Sequence, residues 1–238
     1  MKSLPLEGTF FVLNTMDKEL LDYLFELISP DRQDLFLELA EKRTKKIAVV
    51  LEDIFQSHNA AAVLRSCDCF GVQDVHIIEN RNQFKPKRDV EQGSSKWLTI
   101  SRYGEKDQNT EDCLNHLKSK GYVIAATTPH TDMTIDELPT DKPIALLLGT
   151  EKRGISDIAS ANADYLVSIP MYGFTESFNI SVAAAVSLHS LRSKFLRDSS
   201  DLSLTEEEKV EVLLGWCSNT INRGDKVIEE FYKRSQNN

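Results

Sequence analysis

Hydrophobic positions along the chain change period twice. From Asp17 to Ile28 the apolar residues Leu20, Leu21, Leu24, Phe25 and Ile28 recur at helical spacing. Ser29-Pro30-Asp31 stops that helix and starts a second, with Ser29 as the expected N-cap and Pro30 at the first helical position. The second helix is expected to run to about Lys45. At Lys46 short apolar runs take over: IAVVLED from Ile47, VHII at 75–78, YVIAAT at 122–127, IALLL at 144–148 and DYLVSI at 164–169. Runs of this length and composition suit strands buried on both faces. Lys96 to Ile100 is a further strand candidate.

Helical patterns lie between most of these runs. His58 to Phe70 is closed by Gly71, and Thr110 to Lys120 is closed by Gly121. A long helix follows Ser177 and reaches about Leu196. After the linker RDSSDLSLTEEE, with Ser203 or Thr205 as cap, a helix passes through Val212 and Trp216, and a last piece covers Lys226 to Lys233. The alternation predicts an α/β domain with a mostly parallel sheet over 47–197, a helical extension over 1–46 and another over 198–238.

Composition narrows the function classes. A hydrophobic content of 41% fits a soluble globular chain. No apolar run approaches the roughly 20 residues of a membrane span, and the opening MKSLPLEGTF has no signal-peptide core, so the expected location is the cytoplasm and no membrane partner is expected. The cysteines Cys67, Cys69, Cys113 and Cys217 match neither a zinc ribbon nor a CxxC pair and read as buried free thiols. No histidine pair has HExxH spacing, so no metal is expected. The formal net charge of −9 argues against general nucleic-acid binding. Two local stretches run against it: KRTKK at 42–46, and NRNQFKPKR at 80–88 with Arg81, Lys85, Lys87 and Arg88 and no acid. Each alone also reads as a solvated face.

Three loops that follow buried runs are more polar than packing requires. The first, HNAAAVLRSCDCFG, holds Asn59 and Arg65 six apart; Asn59 at a helix N-terminus suits a cap or an anion site. In the second, IALLLGTEKRGIS, a strand ends at Gly149, Glu151 follows and Gly154 precedes a helix. That places an acid and backbone amides at the sheet edge where open α/β sheets bind ligands. The third, PMYGFTESFNISVAAAV, sets Gly173, Glu176, Ser177 and Asn179 before a run of alanines; Gly173 there permits an unusual backbone angle or a close approach. Taken singly, each loop also fits an ordinary capped helix or strand-to-helix turn. There is no GxGxxG after a strand, no Walker loop and no GxSxG elbow.

Together and in this order the loops resemble the three motifs of the SpoU branch of the SPOUT RNA methyltransferases. The first matches Asn-x5-Arg followed by Phe70-Gly71. The second matches as Gly149, Glu151, Gly154, Ile155 and Ser156, and the third as Ile169, Pro170, Met171, Ser177, Phe178, Asn179, Ile180 and Ser181. Thr150 stands where Asn is more usual in the family, and Phe178 where Leu is. The resemblance implies an α/β fold with a C-terminal trefoil knot flanked by N- and C-terminal helices, and a homodimer. It implies S-adenosylmethionine as cofactor, held near Thr127, Leu148, Gly149, Ile169, Met171 and Phe178. EQGSSKW and the helical flanks bring the chain nearest to the members that methylate the ribose 2′-hydroxyl of guanosine 18 in the tRNA D-loop. An rRNA methyltransferase and a non-catalytic RNA-binding relative are the alternatives. The resemblance makes Arg65 either the proton acceptor or the electrostatic stabiliser of the attacking oxygen. Asn59 would orient Arg65 or the ribose, and Glu151, Ser177 and Asn179 would position substrate and shape the loop. Lys42, Arg43, Lys85, Lys87 and Arg88 become the expected contacts to the tRNA backbone.

Overall fold

The computed structural model describes residues 15–83, 93–106, 108–151, 153–198 and 201–235. In chain order its elements are α1 (Thr15–Phe25), α2 (Pro30–Ala40), β1 (Ile47–Glu52), α3 (Ser57–Cys69), β2 (Asp74–Ile78), β3 (Thr99–Tyr103), α4 (Asn109–Ser119), β4 (Val123–Thr127), β5 (Ile144–Leu148), α5 (Asp157–Asn162), β6 (Tyr165–Val167), α6 (Ile180–Arg197), α7 (Glu206–Thr220) and α8 (Gly224–Ser235).

All six residues of β1 are buried, as are all five of β5. These two strands form the middle of a six-stranded sheet of order β3-β2-β1-β5-β4-β6, every pairing parallel. Side chains alternate between faces along a strand, so β1 feeds two cores. Ile47, Val49 and Leu51 join Val63, Leu64, Ala184, Leu188 and Leu191 in a layer with α3 and α6. Ala48 and Val50 join Cys113, Leu114, Leu117 and Ala159 in a layer with α4 and α5. From β1 the chain builds outward to β2 and β3; from β5 it continues past β4 to β6. The carboxyl ends of β1 and β5 therefore flank the point where the connections diverge, the usual ligand crevice of an open parallel sheet.

The described residues fall into two compact units: Arg43 to Ser203, and the residues before Arg43 together with those after Ser203. In the second unit α1, α2 and α8 pack on α7. Its core includes Leu20, Leu24, Phe36, Leu213 and Trp216, with Phe36 edge-on to Trp216 at 5.4 Å between ring centres. Thr205 and Glu208 cap α7 reciprocally.

Several boundaries differ from the sequence expectation. The second helix stops at Ala40, not near Lys45, because Thr44 already bridges to Val72 beside the sheet. Ser29 stands at the N-cap of α2 but its side chain makes no capping bond. Ser94–Trp97 is a 3₁₀ turn, so the third strand begins only at Thr99. The last strand ends at Val167; Ser168 instead hydrogen-bonds the Met133 carbonyl. Cys69 is exposed, while Cys67, Cys113 and Cys217 are buried free thiols; burial raises the Cys217 thiol to about 12.

Candidate active site

The three polar loops converge at the carboxyl edge of the sheet. Asn59 lies in the first turn of α3, after β1; Glu151 follows β5; Asn179 is the N-cap of α6. Glu151 Oε1 accepts from Asn59 Nδ2 at 2.8 Å and from Asn179 Nδ2 at 2.6 Å. Asn179 Nδ2 also reaches Asn59 Oδ1 at 3.2 Å, and Asn59 Nδ2 reaches Gln56 Oε1 at 3.0 Å. Asn59 is 4% exposed. Its amide is thus a buried tie between the loops and not the helix cap read from the sequence; the N-cap position belongs to Gln56. Asn179 caps its own helix, accepting from the Ser181 backbone N–H at 2.9 Å and hydroxyl at 2.6 Å.

Beside this clasp lies a cavity of about 480 Å³. Thr127, Leu148, Gly149, Ile169, Met171 and Phe178 all line it, as do Glu151 and Ser177. Val167 and Ile180 add apolar wall, and Glu176 of the third loop adds a carboxylate; Arg153 and His130 add charge and polarity that the sequence reading did not single out. Gly149 is required by packing: a Cβ there would sit 2.2 Å from the Gly154 carbonyl carbon and oxygen. Thr150 and Gly154 exchange two backbone hydrogen bonds of 2.9 Å, and Gly154 sits at φ +66°, where glycine is favoured. Gly173 has neither reason. Its φ is outside the left-handed region and an added Cβ would meet nothing closer than 4.0 Å, so the expected unusual angle is not there.

Arg65 is exposed two turns along α3 from Asn59, and among the described residues its guanidinium has no hydrogen-bond or ion-pair partner. The expected RNA contacts separate. Arg43 is 5% exposed, with its guanidinium on the Asp68 carboxylate and carbonyl, so it is a packed structural group and not a surface cation. Lys42 is exposed and paired with Glu38. Lys85, Lys87 and Arg88 lie outside the described residues.

Two acids at the end of β1 escaped the sequence reading, where LED looked like a strand tail. Glu52 is buried and hydrogen-bonded to Ser156 and Thr110. Asp53 takes φ 54°, and its carboxylate accepts the backbone N–H groups of Asn80 and Arg81, each at 2.8 Å. A carboxyl group closing a buried strand was the available signal, since such a group needs partners.

An all-parallel α/β domain with a cavity at the divergence of its connections is thereby defined, its wall built from the segments that follow β4, β5 and β6, with the clasp of three polar loops beside it. The chain belongs to the SpoU rRNA Methylase family, whose model matches residues 46–189. It is 38% identical over 192 residues to a tRNA (guanosine(18)-2′-O)-methyltransferase of Borreliella burgdorferi, covering 80% of this chain and 86% of that protein. The crystal structure of an A. aeolicus TrmH/SpoU tRNA modifying enzyme superposes with a TM-score of 0.72 at 29% identity, covering 81% of this chain and 98% of that one. The SpoU methyltransferase AviRb of Streptomyces viridochromogenes, solved with AdoMet, shares the fold at a TM-score of 0.55 and 24% identity, covering 69% and 63%. Among the described residues no helix is long and apolar enough to cross a membrane, and no group of three or more His, Cys, Asp or Glu could hold a metal ion.

Proposed function

We propose that this chain transfers a methyl group from S-adenosylmethionine to the ribose 2′-hydroxyl of guanosine 18 in the tRNA D-loop. The observation that carries the reading is the clasp of Asn59, Glu151 and Asn179 beside the cavity, taken with relatives named for that reaction. The cavity suits the cofactor chemically. Its volume falls within the roughly 300–1,000 Å³ of small-molecule sites. Leu148, Ile169, Met171 and Phe178 offer apolar wall to a purine, and Glu151 and Glu176 offer carboxylates to a cationic ligand. When bound, S-adenosylmethionine supplies a methyl group on a positively charged sulfur.

The protein's own task is to place the 2′-oxygen and to help it lose its proton, because a hydroxyl is a weak nucleophile near pH 7. Arg65 carries a charge that no described neighbour neutralises. A guanidinium does not give up its proton in proteins, so Arg65 acts by stabilising the developing alkoxide; as the methyl–sulfur bond breaks and the thioether leaves, the 2′-hydroxyl proton passes to a neighbouring RNA phosphate or to solvent water. Asn59 acts through Glu151 and Asn179, keeping the loops in register. Ser177 is exposed at the cavity rim, within reach of a ribose. Lys85, Lys87 and Arg88 contact the tRNA backbone. The segment from Ile169 to Asn179 is the knotted part of the fold. The chain works in the cytoplasm as a homodimer; Val182 and Val186, exposed one turn apart on α6, with the exposed Phe178 just before its N-cap, form the apolar strip a second copy would cover.

Purified protein incubated with labelled S-adenosylmethionine and either unmodified tRNA or rRNA tests the reading. Methylation at the D-loop guanosine is expected, falling by about a thousandfold in Arg65→Ala with unchanged folding. Methylation of rRNA alone would keep the chemistry and replace the substrate; none on either RNA would sink the reading. Sedimentation of the same sample as a monomer would remove the second copy.

A further inference from the structure

The Glu52 carboxylate lies outside the cavity yet bears on it. It closes β1, is 3% exposed, and three donors converge on it. Oε2 accepts the Ser156 backbone N–H at 2.8 Å; Oε1 accepts the Ser156 hydroxyl at 2.7 Å and the Thr110 hydroxyl at 2.8 Å. A carboxylate is costly to bury unless its oxygens are filled in this way. Packing alone asks for an aliphatic residue at that position, as at the preceding Leu51.

The partner explains the choice. Ser156 ends the segment 149–156 and starts α5, where its hydroxyl also accepts the Ala159 N–H at 3.1 Å. The other end of the segment is continuous with β5, whose Leu148 pairs with Leu51 of β1. Leu51 and Glu52, adjacent in sequence, therefore secure the two ends of one loop. Between them Gly149 packs on Gly154, both lining the cavity, and Glu151 extends to Asn59 and Asn179. We propose that Glu52 is a positioning residue for the methyl-donor cavity. By holding Ser156 it fixes the 149–156 wall and keeps Glu151 in reach of both asparagines. The inference rests on the methyltransferase reading above. Glu52 is not among the cavity-lining residues, so it acts only through this loop.

The test is calorimetric binding of S-adenosylhomocysteine, with thermal unfolding in parallel, for the full-length wild type and three variants. Glu52→Gln keeps the shape but turns an amide NH₂ toward hydroxyls that now donate, or loses the backbone acceptor. Its dissociation constant is expected to rise about tenfold, and Ser156→Ala by a similar factor. Thr110→Val removes a Glu52 partner without touching the loop. It should leave binding within about twofold while lowering the melting temperature about as much as the others. Unchanged binding in Glu52→Gln overturns the proposal; should that variant not fold, unchanged binding in Ser156→Ala does so. Equal weakening by Thr110→Val also overturns it, because general loosening would then be the cause. Wild-type protein that fails to bind S-adenosylhomocysteine removes the methyl-donor reading itself and this inference with it.

Discussion

Two loops border the same cavity and are held in opposite ways. The 149–156 segment is pinned at five of its residues: Gly149 lies against Gly154, Thr150 pairs with Gly154, Glu151 ties to Asn59 and Asn179, and Ser156 ties to Glu52. From Pro170 to Phe178, by contrast, every residue but Met171 is exposed, and among the described residues no side-chain hydrogen bond holds the stretch. Tyr172 and Phe174 stand almost fully in solvent. One wall is preorganised by the fold. The other has no such ties and is exposed to whatever ligand binds there. Preorganisation lowers the ordering cost of binding, so the pinned wall is the one expected to contribute more to affinity.

Substitutions can break or sharpen that contrast. The largest effect is expected at Gly149. Alanine there puts a methyl group into the Gly154 backbone, and the cost is about 3 kcal/mol or more, read by denaturant unfolding. A variant of wild-type stability would mean that the 149–156 wall gives way easily.

Acid should act on the sheet, remote from both loops. His76 on β2 is held down to about 4, first by burial and then by the positive charges of His116 and Lys120, and it faces the Tyr103 hydroxyl at 3.2 Å. Its folded-state value is below the ordinary 6.5, so the unfolded chain binds the proton more tightly. Stability is therefore full above about pH 6.5 and falls as pH drops toward 4, by roughly 3 kcal/mol in total. His76→Gln should flatten that slope in urea titrations at stepped pH, and an unaltered slope would assign the acid sensitivity elsewhere.

A smaller effect separates the clasp itself. A double-mutant cycle on Asn59→Ala and Glu151→Ala should give a coupling of about 1–2 kcal/mol in stability, since the amide is buried and the two groups touch. Additive losses would show that each residue acts alone. The smallest effect is expected on the open wall. Gly173→Ala meets neither a clash nor a left-handed φ and should change stability by less than about 0.5 kcal/mol.

What the sequence made legible follows the range of the forces involved. Continuous apolar runs announced the central strands, and the offer of Ser203 or Thr205 as a cap announced α7, where Thr205 takes the role, because both signals are local. Asn59, Glu151 and Asn179 could be picked out as polar residues after buried strands. Their contacts, across 92, 28 and 120 residues, have no local trace, so Asn59 read as a cap. Glu52 was hidden for the same reason, its partner being 104 residues away. Arg43 misled because it sits in a basic run, while its burial is set by Asp68 and Val72 from the far end of α3 and the turn beyond. Gly173 misled as to its backbone angle, because a glycine in a loop suggests a left-handed φ that this loop does not use.

The 120-residue span between Asn59 and Asn179 also sets an order of events during synthesis. A growing chain can pair β1 with β2 early, but the amide of Asn59 has neither distant partner until Glu151 emerges, and its second only once Asn179 has left the ribosome. Closing so long a loop is slow relative to local contacts. The nascent domain therefore carries a buried-type amide and an unfinished cavity for most of its translation, and chains stopped before Asn179 are the ones most exposed to quality-control proteases.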